Sequence, residues 1–308
     1  MTPLQKEKLS ALVGADVIWN CRLKGYTTFS IGGMASALVK VKEYELLQRL
    51  IDFVGAESLP WRVIGKGSNI LVSDDGFPGL IIILSGDFLK ITEIAGNGVG
   101  EVILRVGAGC GLGRLLSYCT ENRLRGLEFI VGIPGTVGGA LIMNAGAWGK
   151  DIAMVTKCVT VMTGAGFEKL QQGMLDFSYR YWPCFSNRYG GRGIVVAADF
   201  SLQRCEGGEV GELCSALLAK RKKSQPPEFK SAGSFFKNPP GDSAGRLIES
   251  SGLKGVAVGD AVISEYHANF LINRGKATAS DVLKLMKKIQ EKVKNDSGVE
   301  LQPEVHFI

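Results

Sequence analysis

Residues Leu127–Gly146 read LEFIVGIPGTVGGALIMNAG, and this stretch carries more information about the fold than any other part of the chain. An apolar run leads into Gly132-Ile-Pro-Gly135, where the residue before the proline is held extended and a turn follows. Gly135, Gly138 and Gly139 have no Cβ, so the backbone there can take positive φ and closely approach a flat or phosphorylated ligand. A buried, tightly packed turn has the same pattern. The segment alone leaves both interpretations open.

The length and composition are those of an ordinary globular protein. The chain has 308 residues, which predicts two domains at about 150 residues each. Hydrophobic residues make up 45% and charged residues 21%. The net charge of +6 suits anionic small ligands as well as nucleic acid. The dense basic run at residues 220–223 is typical of a solvated helix end, so we expect no nucleic-acid partner.

The cysteines and histidines argue against disulfides and metals. The seven cysteines are scattered and include no Cys-x-x-Cys pair, which favours a reduced compartment. With only two histidines, a histidine-based metal centre is not expected. The N-terminal stretch lacks the apolar core of a signal peptide, and no run approaches the roughly 20 apolar residues of a membrane span. We therefore expect a soluble, cytoplasmic protein without membrane insertion. The oligomeric state stays open, with a monomer favoured.

Short β-rich runs alternate with helical patterns, which predicts an α+β fold. Helices are indicated at Tyr44–Val54, at Leu112–Asn122 and at Asp281–Val293, the last with an apolar stripe and a Thr/Ser start signal. Composition changes near Cys205, where we place a domain boundary. The first domain then covers residues 1–205, with two subdomains divided near residue 85, and the second covers 206–308. A proline-rich connector, Gln225-Pro-Pro, follows the boundary.

Two further glycine-rich segments resemble nucleotide-binding motifs to different degrees. GAGCGLG at residues 107–113 lies between a predicted strand and helix, but Leu112 occupies the place of the third glycine of a dinucleotide fingerprint. A Rossmann site is therefore not expected. GKGSNI at residues 65–70 predicts a turn whose successive N–H groups form an anion nest, with side-chain donors from Ser68 and Asn69. An ordinary hairpin-like turn fits this spacing equally well.

Several isolated polar residues have both a catalytic and an ordinary interpretation. Ser234 lies in SAGSFFKNPP beside two phenylalanines, with the donors Lys237 and Asn238 just after it. A serine is a poor acid in water, and a serine in a turn usually bonds local backbone. Arg180 can clamp a carboxylate or lie half-buried at the surface. Strand alternation around Glu304 is typical of a solvated edge residue.

Together and in this order, these segments resemble the UDP-N-acetylenolpyruvoylglucosamine reductases, also called UDP-N-acetylmuramate dehydrogenases. These are FAD enzymes of bacterial cell-wall precursor synthesis. The matching segments run from Thr27–Gly33 to Glu304 and cover nearly the whole chain. They read TTFSIGG, GKGSNILVSDDGFPG, LEFIVGIPGTVGGALIMNAGAWG, FSYR, SAGSFFKNPPG, HANFLIN and LQPEV. The short run between Arg180 and Gly193 is similar to the shorter subtype of the family, which lacks an extra tyrosine-bearing loop.

The resemblance implies a vanillyl-alcohol-oxidase (PCMH-type) FAD-binding fold, followed by a smaller C-terminal α+β domain that binds the substrate. It implies a non-covalent FAD cofactor and NADPH as co-substrate. By the same resemblance, the residues that hold the FAD pyrophosphate are Gly65, Lys66, Gly67, Ser68, Asn69 and Ile70. Those that line the rest of the cofactor are Ile133, Pro134, Gly135, Thr136, Gly138, Gly139, Asn144 and Ala145.

The family's catalytic residues match Arg180, Ser234 and Glu304, and its substrate-binding residues match Lys237, Asn238 and His267. The implied reaction reduces the enolpyruvyl ether of UDP-N-acetylglucosamine to UDP-N-acetylmuramate. NADPH reduces the flavin, and hydride passes from flavin N5 to the vinyl carbon. Arg180 and a protonated Glu304 stabilise the resulting enediolate, and Ser234 donates a proton to the adjacent carbon.

Two positions depart from the family pattern, and two other functions stay open. Ser30 replaces a residue that is often basic, and Trp182 replaces a small hydroxyl residue. An oxidase of the same fold would pass electrons to oxygen, although nothing resembles the covalent His or Cys flavin anchors of such enzymes. A non-catalytic binding protein on the same scaffold is the other alternative, because a fold does not guarantee activity.

Overall fold

The structure is a computed structural model that describes residues 1–94, 96, 100–225 and 230–308. The proline pair of the predicted connector, Pro226 and Pro227, lies outside the described residues. The α-helices, in chain order, are α1 (Pro3–Val13), α2 (Tyr44–Ala56), α3 (Leu112–Glu121), α4 (Val137–Ile142), α5 (Pro183–Tyr189), α6 (Glu209–Ser224), α7 (Ala244–Ser250) and α8 (Ala279–Ser297).

The strands alternate with these helices along most of the chain. They are β1 (Val17–Arg22), β2 (Met34–Val41), β3 (Trp61–Val63), β4 (Ile70–Leu71), β5 (Phe77–Leu84), β6 (Ile91–Ile94), β7 (Glu101–Gly107), β8 (Leu124–Arg125), β9 (Gly146–Ala147), β10 (Lys150–Asp151), β11 (Thr156–Thr163), β12 (Gly166–Gln171), β13 (Ile194–Arg204), β14 (Ser231–Ser234), β15 (Ala257–Val258), β16 (Ala261–Ile263), β17 (Phe270–Asn273) and β18 (His306–Phe307). The predicted α+β class is confirmed.

The predicted helices are confirmed, and their ends have identifiable causes. In α8, the Thr278 hydroxyl accepts from the N–H of Asp281 while the Asp281 carboxylate accepts from the N–H of Thr278, which forms a capping box. Gly298 closes the helix in the left-handed conformation, which glycine adopts without a Cβ penalty. In the apolar stripe of α8, Val282, Leu285, Ile289 and Val293 are fully buried and Met286 is partly buried, as the spacing predicts.

The chain forms two compact units that interleave along the sequence. Unit 1 comprises residues 1–18, 37–65 and 79–220, and unit 2 comprises residues 19–36, 66–78 and 221–308. The boundary predicted from the sequence lies instead near residue 205, between residues 1–205 and residues 206–308. The difference has a physical cause: Phe29, Ile31 and Leu71 belong to the same buried cluster as the apolar residues of α7 and α8. The subdomain division near residue 85 stays a prediction.

The main sheet of unit 1 has the strand order β12-β11-β13-β7-β6, with antiparallel neighbours. Along β7, Val102, Leu104 and Val106 are buried, as expected for strands with one face against a core. On the other face, Arg105 donates two hydrogen bonds of 2.7 Å to Asp199, its direct partner on β13. A further sheet has the order β1-β2-β5-β3 and includes parallel pairing of β3 with β5.

Unit 2 is built on a four-stranded sheet in the order β14-β17-β16-β15. The helices α7 and α8 contribute Leu247, Ile248 and Leu285 to its buried cluster. Near the C-terminus, β18 pairs in parallel with β4, with His306 opposite Ile70. This pairing joins the last residues of the chain to a segment more than two hundred positions earlier. Within the described residues, none of the helices combines the length and apolar character that crossing a bilayer requires.

Candidate active site

The predicted pyrophosphate loop at residues 65–70 has a backbone that demands glycine. Gly67 has φ of +63°, and a Cβ there would lie 2.0 Å from the carbonyl oxygen of Tyr26. The Gly67 carbonyl accepts from the N–H of Thr28 at 3.1 Å, which fixes the loop on its other side. Among the described residues, the N–H groups of Lys66 and Gly67 donate to no protein acceptor. Two consecutive unpaired N–H groups beside a left-handed residue fit an anionic oxygen, as a pyrophosphate supplies.

The second predicted cofactor segment begins with the turn at residues 132–135 and enters the short helix α4. Thr136 is the N-cap of α4, and its hydroxyl accepts from the N–H of Gly139 at 3.4 Å. The same hydroxyl would lie 2.4 Å from a Cβ at Gly65, so any other residue at position 65 requires the Thr136 side chain to move. Ile133 is half-buried, while Pro134 is exposed. The segment presents an apolar, Cβ-poor surface that fits a planar ring.

The glycine run at residues 107–113 supports this segment by close packing. Val137 donates to the carbonyl of Cys110 at 2.9 Å, and Gly138 donates to that of Ala108 at 2.8 Å. A Cβ at Gly107 would lie 2.2 Å from the carbonyl oxygen of Phe88, which leaves space for glycine alone. The run therefore packs backbone against backbone within unit 1, which agrees with the absence of a dinucleotide fingerprint in its sequence.

Asn144 and Ala145 make their hydrogen bonds within the protein. Asn144 is 3% exposed, and its side-chain amide bonds Asp151, Ala153 and the carbonyl of Ser178. Ala145 donates to the carbonyl of Ala140 at 2.8 Å. The sequence analysis assigns both residues to the cofactor through the resemblance, and their observed partners are protein groups.

Arg180 lies in a tight turn in which Ser178 and Tyr181 exchange two backbone hydrogen bonds. Its φ is +53°, an uncommon conformation for a residue with a side chain. The guanidinium donates to the carbonyl of Asn144 at 3.3 Å and to that of Gly146 at 2.8 Å. Arg180 is half-buried, so a planar, permanently charged fork is held in a defined orientation.

Ser234 and Glu304 lie on adjoining backbone segments of unit 2. Glu304 donates its N–H to the carbonyl of Phe235 at 2.8 Å, and Lys237 donates to the carbonyl of Gln302 at 2.8 Å. Both Ser234 and Glu304 are half-buried rather than solvated. The carbonyl of Glu304 also accepts from the side chain of Asn69 at 3.2 Å, which ties it to the predicted pyrophosphate loop.

The three predicted substrate-binding residues also lie in unit 2. The Asn238 side chain accepts from the N–H of Ala244 at 3.1 Å, at the start of α7. The Nδ1 atom of His267 accepts from the N–H of Asn269 at 3.2 Å. Burial lowers the pKa of His267 from its ordinary value, and the nearby Lys254 ammonium adds to the effect. His267 is therefore a neutral imidazole at pH 7.

The predicted site residues thus form two groups, each within one unit. Unit 1 holds Gly65, Arg180 and the segment from Ile133 to Ala145, and unit 2 holds residues 66–70, Ser234, Glu304 and the three substrate-binding candidates. The sequence analysis missed Asn269, which is 3% exposed and bonds both the N–H and the carbonyl of Phe236. An asparagine inside the apolar run HANFLIN was the available signal.

The two departures from the family pattern have structural roles in this chain. Trp182 is 1% exposed and packs between Phe177 and Phe185, at ring-centroid distances of 4.9 and 5.1 Å. It is a core residue of unit 1. Ser30 adopts φ of +53°, and its carbonyl accepts from the buried side chain of Asn273 at 3.3 Å.

Comparison with known proteins first defines the class. Residues 35–167 match the family model described as "FAD binding domain", and residues 225–308 match "UDP-N-acetylenolpyruvoylglucosamine reductase, C-terminal domain". Together with the fold, these matches define an FAD-dependent oxidoreductase of the vanillyl-alcohol-oxidase type, as predicted. A relative named UDP-N-acetylenolpyruvoylglucosamine reductase 2, from Symbiobacterium thermophilum, is 45% identical over 92% of this chain and 89% of its own length.

Other relatives agree with this assignment over nearly the full length. The reductase of Syntrophus aciditrophicus is 38% identical over 98% of this chain and 95% of its own length. The crystal structure of the reductase from Thermus caldophilus is similar with a TM-score of 0.78 and 38% identity, covering 94% of this chain and 97% of that one. The chain belongs to the UDP-N-acetylenolpyruvoylglucosamine reductase family, which places it in peptidoglycan precursor synthesis.

The geometry of Gly67 predicts that replacing it with alanine disturbs the loop. We expect Gly67→Ala to lower the free energy of unfolding by about 1–3 kcal/mol, because the new Cβ meets backbone at a left-handed φ. Urea unfolding of the apoprotein measures this change, and flavin fluorescence measures the expected weaker FAD binding. Gly25→Ala is the control, since a Cβ at Gly25 has nothing within 4 Å. Wild-type stability for Gly67→Ala would show that the loop tolerates a side chain.

The lowered pKa of His267 predicts a pH dependence of stability. The unfolded chain binds a proton at His267 more readily than the folded chain, so stability is full above the ordinary pKa of 6.5 and falls as the pH drops. We expect His267→Gln to reduce the slope of unfolding free energy against pH between pH 5 and 7. Desolvation of the ring and the Lys237 ammonium also lower the pKa of His306, although His306 lies on an exposed strand, so His306→Gln is the comparison variant. An unchanged slope for both variants would contradict these shifts.

Proposed function

We propose that this chain reduces the enolpyruvyl ether of UDP-N-acetylglucosamine to UDP-N-acetylmuramate, with bound FAD and with NADPH as the electron donor. Support comes chiefly from one observation: Ser234 and Glu304 lie on backbone segments joined by the hydrogen bond from Glu304 to Phe235. This bond supports a site in which the Ser234 hydroxyl and the Glu304 carboxyl act on one substrate, with Lys237 and Asn238 a few residues further along the chain. A substrate with an anionic carboxylate and a carbon that requires a proton suits this set.

The residues around the cofactor bind and orient it. The loop at residues 65–70 would hold the pyrophosphate through the N–H groups of Lys66 and Gly67, and the segment from Ile133 to Gly139 would line the flat ring. When bound, FAD supplies the carrier that takes two electrons from NADPH and delivers them to the terminal vinyl carbon. The chain's own part is to hold this carrier and to control charge around the reacting carbons.

Arg180 and Glu304 would stabilise the charge that develops on the pyruvyl carboxylate. Addition of hydride to the terminal vinyl carbon leaves negative charge on the adjacent carbon, and this charge spreads into the carboxylate as an enediolate. The planar guanidinium of Arg180 matches such a group geometrically, and its fixed orientation spares reorganisation during the reaction. A protonated Glu304 would donate a further hydrogen bond to the enediolate.

Ser234 would complete the reaction by donating the hydroxyl proton to the carbon adjacent to the carboxylate. The strong basicity of that carbon makes a hydroxyl group a competent acid. Lys237, Asn238 and His267 would contact the sugar nucleotide, where Lys237 supplies charge and the neutral His267 supplies polarity. Because nucleotide sugars and NADPH are cytoplasmic metabolites, we infer a cytoplasmic reaction.

An anaerobic titration tests the reaction directly. We expect the purified protein to be yellow, to bleach on addition of NADPH, and to regain its colour only when the enolpyruvyl sugar nucleotide is added. The visible absorbance of the flavin is the measurement. Recovery by oxygen alone would favour an oxidase or a non-catalytic scaffold, and a protein that cannot be loaded with FAD would contradict the proposal as a whole.

The assigned role of Ser234 predicts that its substitution slows only one of the two half-reactions of the enzyme. In Ser234→Ala, reduction of the flavin by NADPH should continue at nearly the wild-type rate, because no proton from Ser234 is needed there. Reoxidation by the enolpyruvyl substrate should slow by about 10²-fold or more, the usual scale of general-acid catalysis. Stopped-flow absorbance measures both steps. Ser280→Ala, at an exposed position of α8, is the control, and equal rates in Ser234→Ala and wild type would remove Ser234 from the mechanism.

A further inference from the structure

We infer that Asn144 is a positioning residue for Arg180. It couples the arginine to the segment proposed to line the flavin. The inference rests on the proposed function for the role of Arg180. It goes beyond that proposal because it assigns to Asn144 the support of the arginine, in place of a contact with the cofactor.

The hydrogen bonds within the Ser178–Tyr181 turn define its shape but not its place in unit 1. The turn is closed by Ser178 and Tyr181, whose N–H groups each donate to the other residue's carbonyl at 2.9 and 3.3 Å. The left-handed φ of Arg180 adds local strain that the surrounding structure has to overcome. The Nδ2 group of Asn144 donates to the carbonyl of Ser178 at 3.0 Å, which fixes the first residue of the turn.

The side chain of Asn144 is fully occupied by protein partners. Its Nδ2 group donates its second proton to Asp151 at 3.1 Å, and its Oδ1 atom accepts from the N–H of Ala153 at 3.2 Å. An amide nitrogen has two protons to donate, and both are used. Because the residue is also 3% exposed, its side chain is a buried, internally satisfied link.

The backbone of the same segment holds the charged end of Arg180. Its Nη1 group donates to the carbonyl of Asn144 and its Nη2 group to that of Gly146, so the two carbonyls set the plane of the guanidinium. Asn144 therefore holds Arg180 at two points: its side chain bonds the turn, and its backbone carbonyl accepts from the guanidinium. The segment continues directly from Ile133–Gly139, which the proposed function assigns to the flavin. Displacement of this segment would move both the ring and the arginine.

The substitution Asn144→Asp tests this link with almost no change in volume. A carboxylate cannot donate to the Ser178 carbonyl, and it also faces the carboxylate of Asp151, so the turn loses its anchor. We expect FAD to remain bound, flavin reduction by NADPH to stay within about two-fold of wild type, and reoxidation by the enolpyruvyl substrate to slow by about ten-fold or more. Asn122→Asp is the matched control, because its amide also donates to a backbone carbonyl, that of Tyr118.

A double-mutant cycle separates positioning from general destabilisation. In an Arg180→Ala background, Asn144→Asp should cause no further slowing of reoxidation, because the group that it positions is gone. The double substitution Asn144→Asp with Asp151→Asn restores the hydrogen-bonded pair but still leaves Ser178 without its donor. We expect this swap to recover the unfolding midpoint of the protein and not the rate of reoxidation.

Hydrogen exchange provides a readout that does not depend on activity. The peptide covering residues 177–182 should exchange faster in Asn144→Asp than in wild type, while the peptides of β11 and β13 should be unchanged. Asn144→Ser, whose hydroxyl is too short to reach the Ser178 carbonyl, should behave in the same way if Asn144→Asp folds poorly.

Several results would overturn the inference. One is a wild-type rate of reoxidation in both Asn144 variants, and another is an additive loss of that rate in the double-mutant cycle. Recovery of the reoxidation rate by the Asn144→Asp, Asp151→Asn double substitution would also contradict it. Loss of FAD binding from both variants would assign Asn144 to the cofactor. If wild-type protein itself is not reoxidised by the substrate, the proposed function fails instead. The exchange measurement then still decides whether Asn144 holds the turn.

Discussion

Buried side-chain amides satisfy the backbone of the irregular segments that carry the candidate site. A loop can be buried only if its polar backbone groups find partners, since each unpaired group costs about as much as a lost hydrogen bond. Asn269 bonds both backbone groups of Phe236, next to the segment of Ser234 and Lys237. Asn144 donates to the carbonyl of Ser178 in the turn of Arg180. The precision of the site therefore depends on residues that are not expected to touch the substrate.

Glycine contributes the second constraint, which is close approach of backbone to backbone. Gly65 packs against the Thr136 hydroxyl, and Gly67 packs against the carbonyl of Tyr26. Gly107 lies against the carbonyl of Phe88, in a run that resembles a nucleotide motif only superficially. A methyl group at Gly67 or Gly107 would meet main-chain atoms, whereas one at Gly65 would meet the Thr136 side chain. Glycine thus serves two purposes in this chain. It allows close packing in the run at residues 107–113, and it leaves the N–H groups of the loop at residues 65–70 exposed.

Unit 2 gains much of its organisation from contacts between residues that are distant in sequence. Asp74 accepts from the N–H groups of Ala279 and Ser280 at the start of α8, at 2.8 and 2.9 Å. A carboxylate at this end of a helix is favourable for the unpaired N–H groups and for the helix dipole. Asn69 bonds the carbonyl of Glu304 across a similar separation. Such contacts explain why residues 19–36 and 66–78 belong with the C-terminal part of the chain.

The helices, the α+β class and, through the ordered motifs, the family can be predicted from the residues alone. Helix α8 could be predicted because its cap and its apolar spacing are local properties. The packing of distant segments is needed to show that Asn144 bonds Ser178, that Trp182 belongs to the core, and that early segments join residues 221–308 in a single unit. Hydrogen-bond partners and burial depend on which distant segments pack together. No local pattern of residues specifies that choice.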